Sequence, residues 1–220
     1  MIGWSRQVGL RFARRLVLVF LGLTVVAMIP LSTAGSAEFE GKYTTLEAPS
    51  THAPGKVKMT EFVDFYCPHC HMFEQQVVPY LKQEFGDQLE ITVVGYPIIP
   101  GKLPTPFEMY EQAKVMGKGE EMRHVLFRTI HRDRLPVLDR LIREILITEV
   151  GLDPAKFEAG LASGKPAQAV SQGKQLGDRM KVQSTPTVVF DGNIKPESMD
   201  PQNLKTIIQS ILNRDRNRKG

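Results

Sequence analysis

The only two cysteines of this 220-residue chain stand three positions apart, in Cys67-Pro68-His69-Cys70. The segment before them, Val57 to Tyr66, is rich in β-branched and aromatic residues and reads as a strand. The segment after them, His71 to Phe85, spaces Phe73, Val77, Leu81 and Phe85 four apart and reads as a helix. Few folds run a strand into a cysteine pair and straight on into a helix. Cysteines at i and i+3 of a helix's first turn lie on one face, close enough to join in a small strained ring. The first also sits where unpaired backbone N–H groups and the positive end of the helix dipole favour an anion. A thiolate at Cys67 is therefore expected to fall below the usual pKa of about 8.5, and a protonated His69 would add positive charge beside it. A lowered pKa makes the sulfur both an available nucleophile and a good leaving group. Cys70, one turn deeper, is then the expected resolving thiol.

Two other readings compete locally. The pair could be buried and inert, or it could form half of a zinc site completed by His69 or His71. A structural zinc site needs four protein ligands, and the sequence has no second CxxC and no HxxxH. Strand, CxxC and helix together form the signature of a thioredoxin-type dithiol.

The first 37 residues read as an export signal. Arg6, Arg11, Arg14 and Arg15 make a basic start, Leu16 to Met28 is apolar, and Ser32 to Ala37 supplies small residues for cleavage. The apolar run is shorter than the roughly 20 residues of a spanning helix, so cleavage after Ala37 is expected rather than retention as an anchor. The whole chain has 28 basic and 24 acidic residues. Removing the leader's four arginines leaves 24 of each, so the basic character belongs to the targeting segment. Nothing remaining argues for a nucleic-acid partner, and the cluster Arg214, Arg216, Arg218 and Lys219 reads as a solvated tail over 214–220. A mature chain of about 183 residues can bury a core without disulfide staples. In an exported protein a single close cysteine pair thus points to chemistry rather than bracing.

Along the chain, a short strand is expected at Tyr43 to Glu47, followed by the strand, dithiol and helix, with Gly86 as C-cap. A further strand is expected at Leu89 to Tyr96 and a proline-marked crossover at Pro97 to Pro106. Four or five short helices follow up to about Met180, with Asp153-Pro154 and Lys165-Pro166 as helix starts. The β pattern returns at Thr187 to Phe190, turns at Asp191-Gly192, and gives way to a last helix over 201–212. The order β, β, α, β, helical block, β, β, α describes an α/β fold, a thioredoxin-like sheet with an inserted α-helical domain. The expected divisions are a signal peptide at 1–37, the thioredoxin-like domain at 38–104 and 181–213, and the insertion at 105–180.

Glu61, six residues before Cys67, alternates onto the same strand face as Val57, Met59, Val63 and Phe65. Burial of an acid in that apolar row would raise its pKa and suit it to accept the Cys70 proton as the disulfide forms; at the sheet's rim it would merely be solvated. Asp64 alternates to the other face and is a weaker candidate. Ser184-Thr185-Pro186-Thr187 places a proline at a strand entrance, where a cis Thr185-Pro186 bond would explain its position. His71 could tune the site or simply lie on the helix surface, and His52, His124 and His131 form no constellation.

These segments carry a family resemblance. Gly41 to Glu47, Glu61 through Cys67-Pro68-His69-Cys70, the helical insertion and the downstream Thr185-Pro186 resemble the DsbA family of periplasmic thiol:disulfide oxidoreductases over essentially the whole mature length. The resemblance implies an exposed Cys67 nucleophile whose thiolate His69 stabilises, and a cis-proline loop in which Thr185 and Pro186 contact substrate backbone. It also implies an oxidase without cofactor or bound metal that acts as a monomer on reduced secreted proteins. Reoxidation would come from a membrane quinone reductase of the DsbB or VKOR type. The competing activities are a reductase or isomerase on the same fold, or a copper- or zinc-handling protein using Cys67, His69, Cys70 and His71. In one respect the chain departs from the family, whose best-known members pair the buried acid with a lysine just before the second strand. Gln88 is read at that place.

Overall fold

The computed structural model describes residues 39–217. The proposed leader lies outside them, and no helix among the described residues is long and apolar enough to cross a membrane.

The element order read from the sequence is the order observed. Strands β1 (Tyr43–Thr45) and β2 (Val57–Val63) precede helix α1 (Pro68–Phe85), and β3 (Leu89–Gly95) follows a single 3-10 turn. Five helices come next: α2 (Thr105–Val115), α3 (Gly119–Phe127), α4 (Arg140–Glu149), α5 (Pro154–Ala162) and α6 (Lys165–Arg179). A π-helical turn, Arg128–Asp133, joins α3 to the α4 loop. Strands β4 (Thr187–Phe190) and β5 (Ile194–Pro196) and helix α7 (Pro201–Asn217) complete the chain. The sheet order is β1-β5-β4-β2-β3, with β2 and β3 parallel and every other pairing antiparallel.

The local signals act as expected. Gly86 caps α1 with φ +49°, donating its N–H to Lys82 O, a conformation that costs glycine little. Asp153 caps α5 by accepting from Lys156 N–H at 2.8 Å, with Pro154 in the first turn. Asp139 caps α4 in the same way.

One sheet face is covered by α1 and α7, where Phe73, Val77, Leu81 and Phe85 of α1 meet Val57 and Met59 of β2 and Ile207 and Ile211 of α7. Burying side chains of this size stabilises by roughly 1.5–3 kcal/mol each. Farther along the same strand, Val63 and Phe65 join a second cluster with Phe107, Met109, Met122, Leu126 and Phe127 of the inserted helices. On the opposite sheet face α6 approaches β3 closely. A Cβ on Gly173 would lie 2.9 Å from Val94 Cγ1, and one on Gly177 would enter the Tyr96 ring. These two glycines, one helical turn apart, set the depth at which the insertion seats.

The final helix runs to Asn217 rather than ending at Leu212. Four of the residues read as tail are thus helical, and the first two of them are held against the fold. Asp215 is buried, and the Arg214 guanidinium stacks over the Phe39 ring at 4.3 Å. His52 bridges the two ends of the fold, its Nδ1 to Asp191 Oδ2 at 2.7 Å and its Nε2 to Asp215 Oδ1 at 2.9 Å. Gly55 N–H donates to the other Asp215 oxygen at 2.8 Å, Glu40 N–H to Ser210 Oγ at 2.8 Å, and Lys42 N–H to Asn203 Oδ1 at 2.8 Å. His52 therefore belongs to a constellation that its sequence position did not disclose.

Candidate active site

The dithiol stands where strand gives way to helix. Cys67 is the N-cap of α1 and Pro68 occupies its first turn, where a missing N–H costs nothing. Both cysteines are unbonded thiols, and they differ in access: Cys67 is 7% exposed and Cys70 not at all. Cys67 is less open than the resemblance implied, yet only its sulfur can meet an incoming thiolate.

The two sulfurs are driven apart electrostatically. Cys67 is lowered from 9.0 to about 5, first by the Cys70 thiol donating to it, then by the backbone N–H groups of Cys70 and His69 and by Thr185, against the opposing effect of burial. Burial and the neighbouring Cys67 push Cys70 far up. His69 contributes through its main chain, while its imidazole is exposed along a groove beside the site.

That groove, about 340 Å³, is lined by His69, Met72, Phe73, Val77, Pro186 and Met199 among others. The Thr185-Pro186 bond is cis, and the Thr185 carbonyl accepts from Cys67 Sγ at 3.4 Å. The loop thus lies against the reactive sulfur, and its proline lines the groove.

Asp64 matters more than its sequence position suggested. It is buried; Oδ1 accepts from Tyr66 N–H at 2.8 Å, and Oδ2 from Ile98 and Ile99 N–H at 2.9 and 3.0 Å. Its own carbonyl accepts from Cys67 N–H at 3.0 Å. One side chain ties the turn before the dithiol to the crossover after β3. The bond to Tyr66 two residues on is an Asx-turn signal that was available from the sequence; the crossover contacts were not.

Glu61 is fully buried on the predicted face, and no protein group hydrogen-bonds to either of its oxygens. Desolvation raises it from 4.5 to about 8, with Arg123 opposing and Glu74 reinforcing the rise. The residue beside it in register on β3 is Val93, not a lysine; Gln88 lies earlier, in the 3-10 turn Gly86–Gln88. His71 turns toward the insertion, its ring stacked on that of His131 at 5.0 Å. Burial, with His131 beside it, lowers its pKa. His131 Nε2 bonds the Phe65 carbonyl at 2.8 Å. Among the described residues no three of His, Cys, Asp and Glu gather as a metal-holding group.

A family model described as thioredoxin matches residues 51–210. The chain belongs to the thioredoxin family. It is 24% identical over 194 residues to the thiol:disulfide interchange protein DsbA of Escherichia coli K12, covering 85% of this chain and 91% of that protein. It is 26% identical over 168 residues to the DsbA of Burkholderia cepacia, covering 76% of each. Among solved structures, the Xylella fastidiosa DsbA aligns with a TM-score of 0.66 at 19% identity, covering 80% of this chain and 96% of that one. A Proteus mirabilis DsbA solved with a non-covalently bound peptide aligns at 0.62 and 18% identity, covering 82% and 99%. The thioredoxin-like fold with a helical insert and the resemblance to DsbA both hold along most of the chain.

Proposed function

We propose that this protein is an exported thiol:disulfide oxidoreductase of DsbA type that donates its Cys67-Cys70 disulfide to reduced secreted proteins. The observation that carries this reading is the asymmetry of the dithiol, a slightly exposed Cys67 held near pKa 5 beside a fully buried Cys70 held as thiol. A substrate thiolate attacks Cys67 Sγ, the Cys67–Cys70 bond breaks, and its electron pair passes to Cys70 Sγ. Glu61, protonated at neutral pH, supplies the proton that neutralises Cys70, and it receives a proton again when the disulfide re-forms. A second substrate thiolate then attacks the substrate sulfur of the mixed disulfide. Cys67 leaves as a thiolate, which its low pKa makes easy.

Thr185 and Pro186 are the substrate-binding pair, and the apolar groove of Met72, Phe73, Val77 and Met199 receives the flanking chain of an unfolded substrate. The cis Thr185-Pro186 bond set against Cys67 and beside this groove supports the assignment. We place the protein in the periplasm after cleavage of residues 1–37, working as a monomer without cofactor or metal. A membrane quinone reductase of the DsbB or VKOR type renews the disulfide. The helical insertion at 105–180 divides the thioredoxin-like domain into 38–104 and 181–213.

The test is equilibration of the purified protein in glutathione redox buffers, together with oxidation of a reduced, unfolded protein. A dithiol oxidising enough to drive that substrate to its disulfide form supports the reading. A strongly reducing pair that leaves the substrate as free thiols defeats it.

A further inference from the structure

Glu61 is buried in the sheet without a cation on the neighbouring strand, since β3 reads Leu-Glu-Ile-Thr-Val-Val-Gly and sets Val93 beside it. A cation does reach this part of the core, from a different element. Arg123 of α3 is buried, and its Nη2 lies 3.1 Å from Oε1 of Glu74, itself buried on the inner face of α1 four residues after Cys70. His124 Nδ1 approaches the same Glu74 oxygen at 3.0 Å. The charged and titratable groups whose fields act on Glu61 are Arg123 of α3, Glu74 and Lys82 of α1, with Tyr110 of α2 coupled to it in turn; His124 and Glu120 adjoin Glu74 and Arg123. A pocket of about 240 Å³ runs from Lys82 and Glu120, ion-paired at 2.6 Å at the rim, inward to Arg123, Tyr110 and Val93.

We propose that Arg123, carried into the core by the inserted helical domain, is a positioning residue of the redox reaction: paired with Glu74, it sets the charge around Glu61 and so the pH range in which Glu61 can exchange a proton with Cys70. This rests on the proton role given to Glu61 above. The physical case is one of counting. Two carboxyl groups buried close together cannot both ionise without a cation. One guanidinium, ion-paired with Glu74, also acts on Glu61 in the direction that favours its ionised form, and so holds Glu61 within reach of either state. A guanidinium cannot lose its proton in the range where enzymes work, so it biases the pair without competing for the proton in transit.

Arg123 and Glu74 act on Glu61 with opposite signs, which makes the idea testable even when one variant folds poorly. In the full-length protein, the Glu61 carboxyl is titrated by carbon-13 NMR or infrared difference spectroscopy, and the rate of disulfide opening by dithiothreitol is followed from pH 5 to 9. Arg123→Gln is expected to raise the Glu61 midpoint by at least one pH unit, and Arg123→Lys to restore it to within about half a unit. Glu74→Gln is expected to lower it. The Cys67 thiolate absorbance should titrate unchanged in all three, because its stabilisation comes from the start of α1. A Glu61 midpoint unmoved in folded Arg123→Gln and Glu74→Gln overturns the proposal. If Arg123→Gln does not fold, the direction of the Glu74→Gln change decides alone. Glu61→Gln separates the two levels of argument. A pH profile of disulfide opening that ignores this substitution removes the proton role itself, whereas a profile that responds to it but not to Arg123→Gln or Glu74→Gln removes only the role of Arg123.

Discussion

Replacing Glu61 by leucine is expected to stabilise the fold while slowing the reaction. Glu61 is fully buried, its oxygens have no protein hydrogen-bond partner, and its carboxyl is raised from 4.5 to about 8. A raised acid is neutral in the fold over a range where it is ionised in the unfolded chain, so the wild type loses stability as pH climbs from the unfolded value to the folded one. The interval of about 3.5 pH units, at ~1.36 kcal/mol per unit, amounts to nearly 5 kcal/mol in full. At pH 7 about 2.5 units of it apply, or ~3 kcal/mol. Leucine is close to glutamate in size and sits in a row already occupied by Met59 and Val63, so it should recover most of that. Urea unfolding of both proteins from pH 4 to 8.5, in the reduced state, gives the answer. The variant should gain nothing from lost ionisation at pH 4.5, gain ~3 kcal/mol at pH 7, and level off above pH 8. A difference between the two proteins that does not change with pH would refute the reasoning, since packing alone carries no such slope. The same variant should open its disulfide about a hundredfold more slowly near neutral pH, the low end of what positioned proton transfer contributes.

Other outcomes follow from the same geometry. Cys67→Ser should be inactive while Cys70→Ser accumulates mixed disulfides with substrate, distinguishable by mass spectrometry under non-reducing conditions. Because Cys67 is lowered from 9.0 to about 5, its thiolate stabilises only the reduced fold, fully above the unfolded pKa and not at all well below the folded one. The reduced-minus-oxidised stability measured by denaturant should therefore rise by roughly 2 kcal/mol between pH 4.5 and 8.5, half the unscreened figure because water reaches the groove. Met72→Glu, which puts a charge on the groove wall, should raise KM for an unfolded protein substrate several-fold with little effect on a small dithiol. Gly177→Val should clash with the Tyr96 ring and lower the unfolding midpoint by the equivalent of about 1–3 kcal/mol.

The sequence disclosed what is local or periodic. CxxC at a strand–helix junction, the four-residue spacing on α1 and the alternation that buries Glu61 are all patterns within one element. The surroundings of Glu61 were only partly legible, because α2 and α3, about fifty to sixty residues downstream, supply Tyr110 and Arg123. The place sought at Gln88 shows the difficulty, since register alone determines that Val93 is the neighbour. Asp64 was ranked by the face it alternates to, whereas its work is to collect backbone N–H groups from a loop more than thirty residues away. The basic end of the chain was judged by charge, and charge says nothing of Asp215, whose partners His52 and Gly55 lie about 160 residues earlier.

The clasp between His52, Asp191 and Asp215 also bears on the order in which the molecule can be completed. The first described strand, β1, pairs only with β5, and the central β2 pairs with β4. Residues 39–55 are fastened to Asn203, Ser210 and Asp215 of the last helix. A chain emerging from its amino end therefore holds both edge strands of the sheet, while the interior strands β4 and β5 that join them, and the clasp partners, are the last residues to be made. If the chain is exported unfolded, as proposed above, this topology would act as a timer, deferring the finished fold until the carboxyl end has also arrived on the far side.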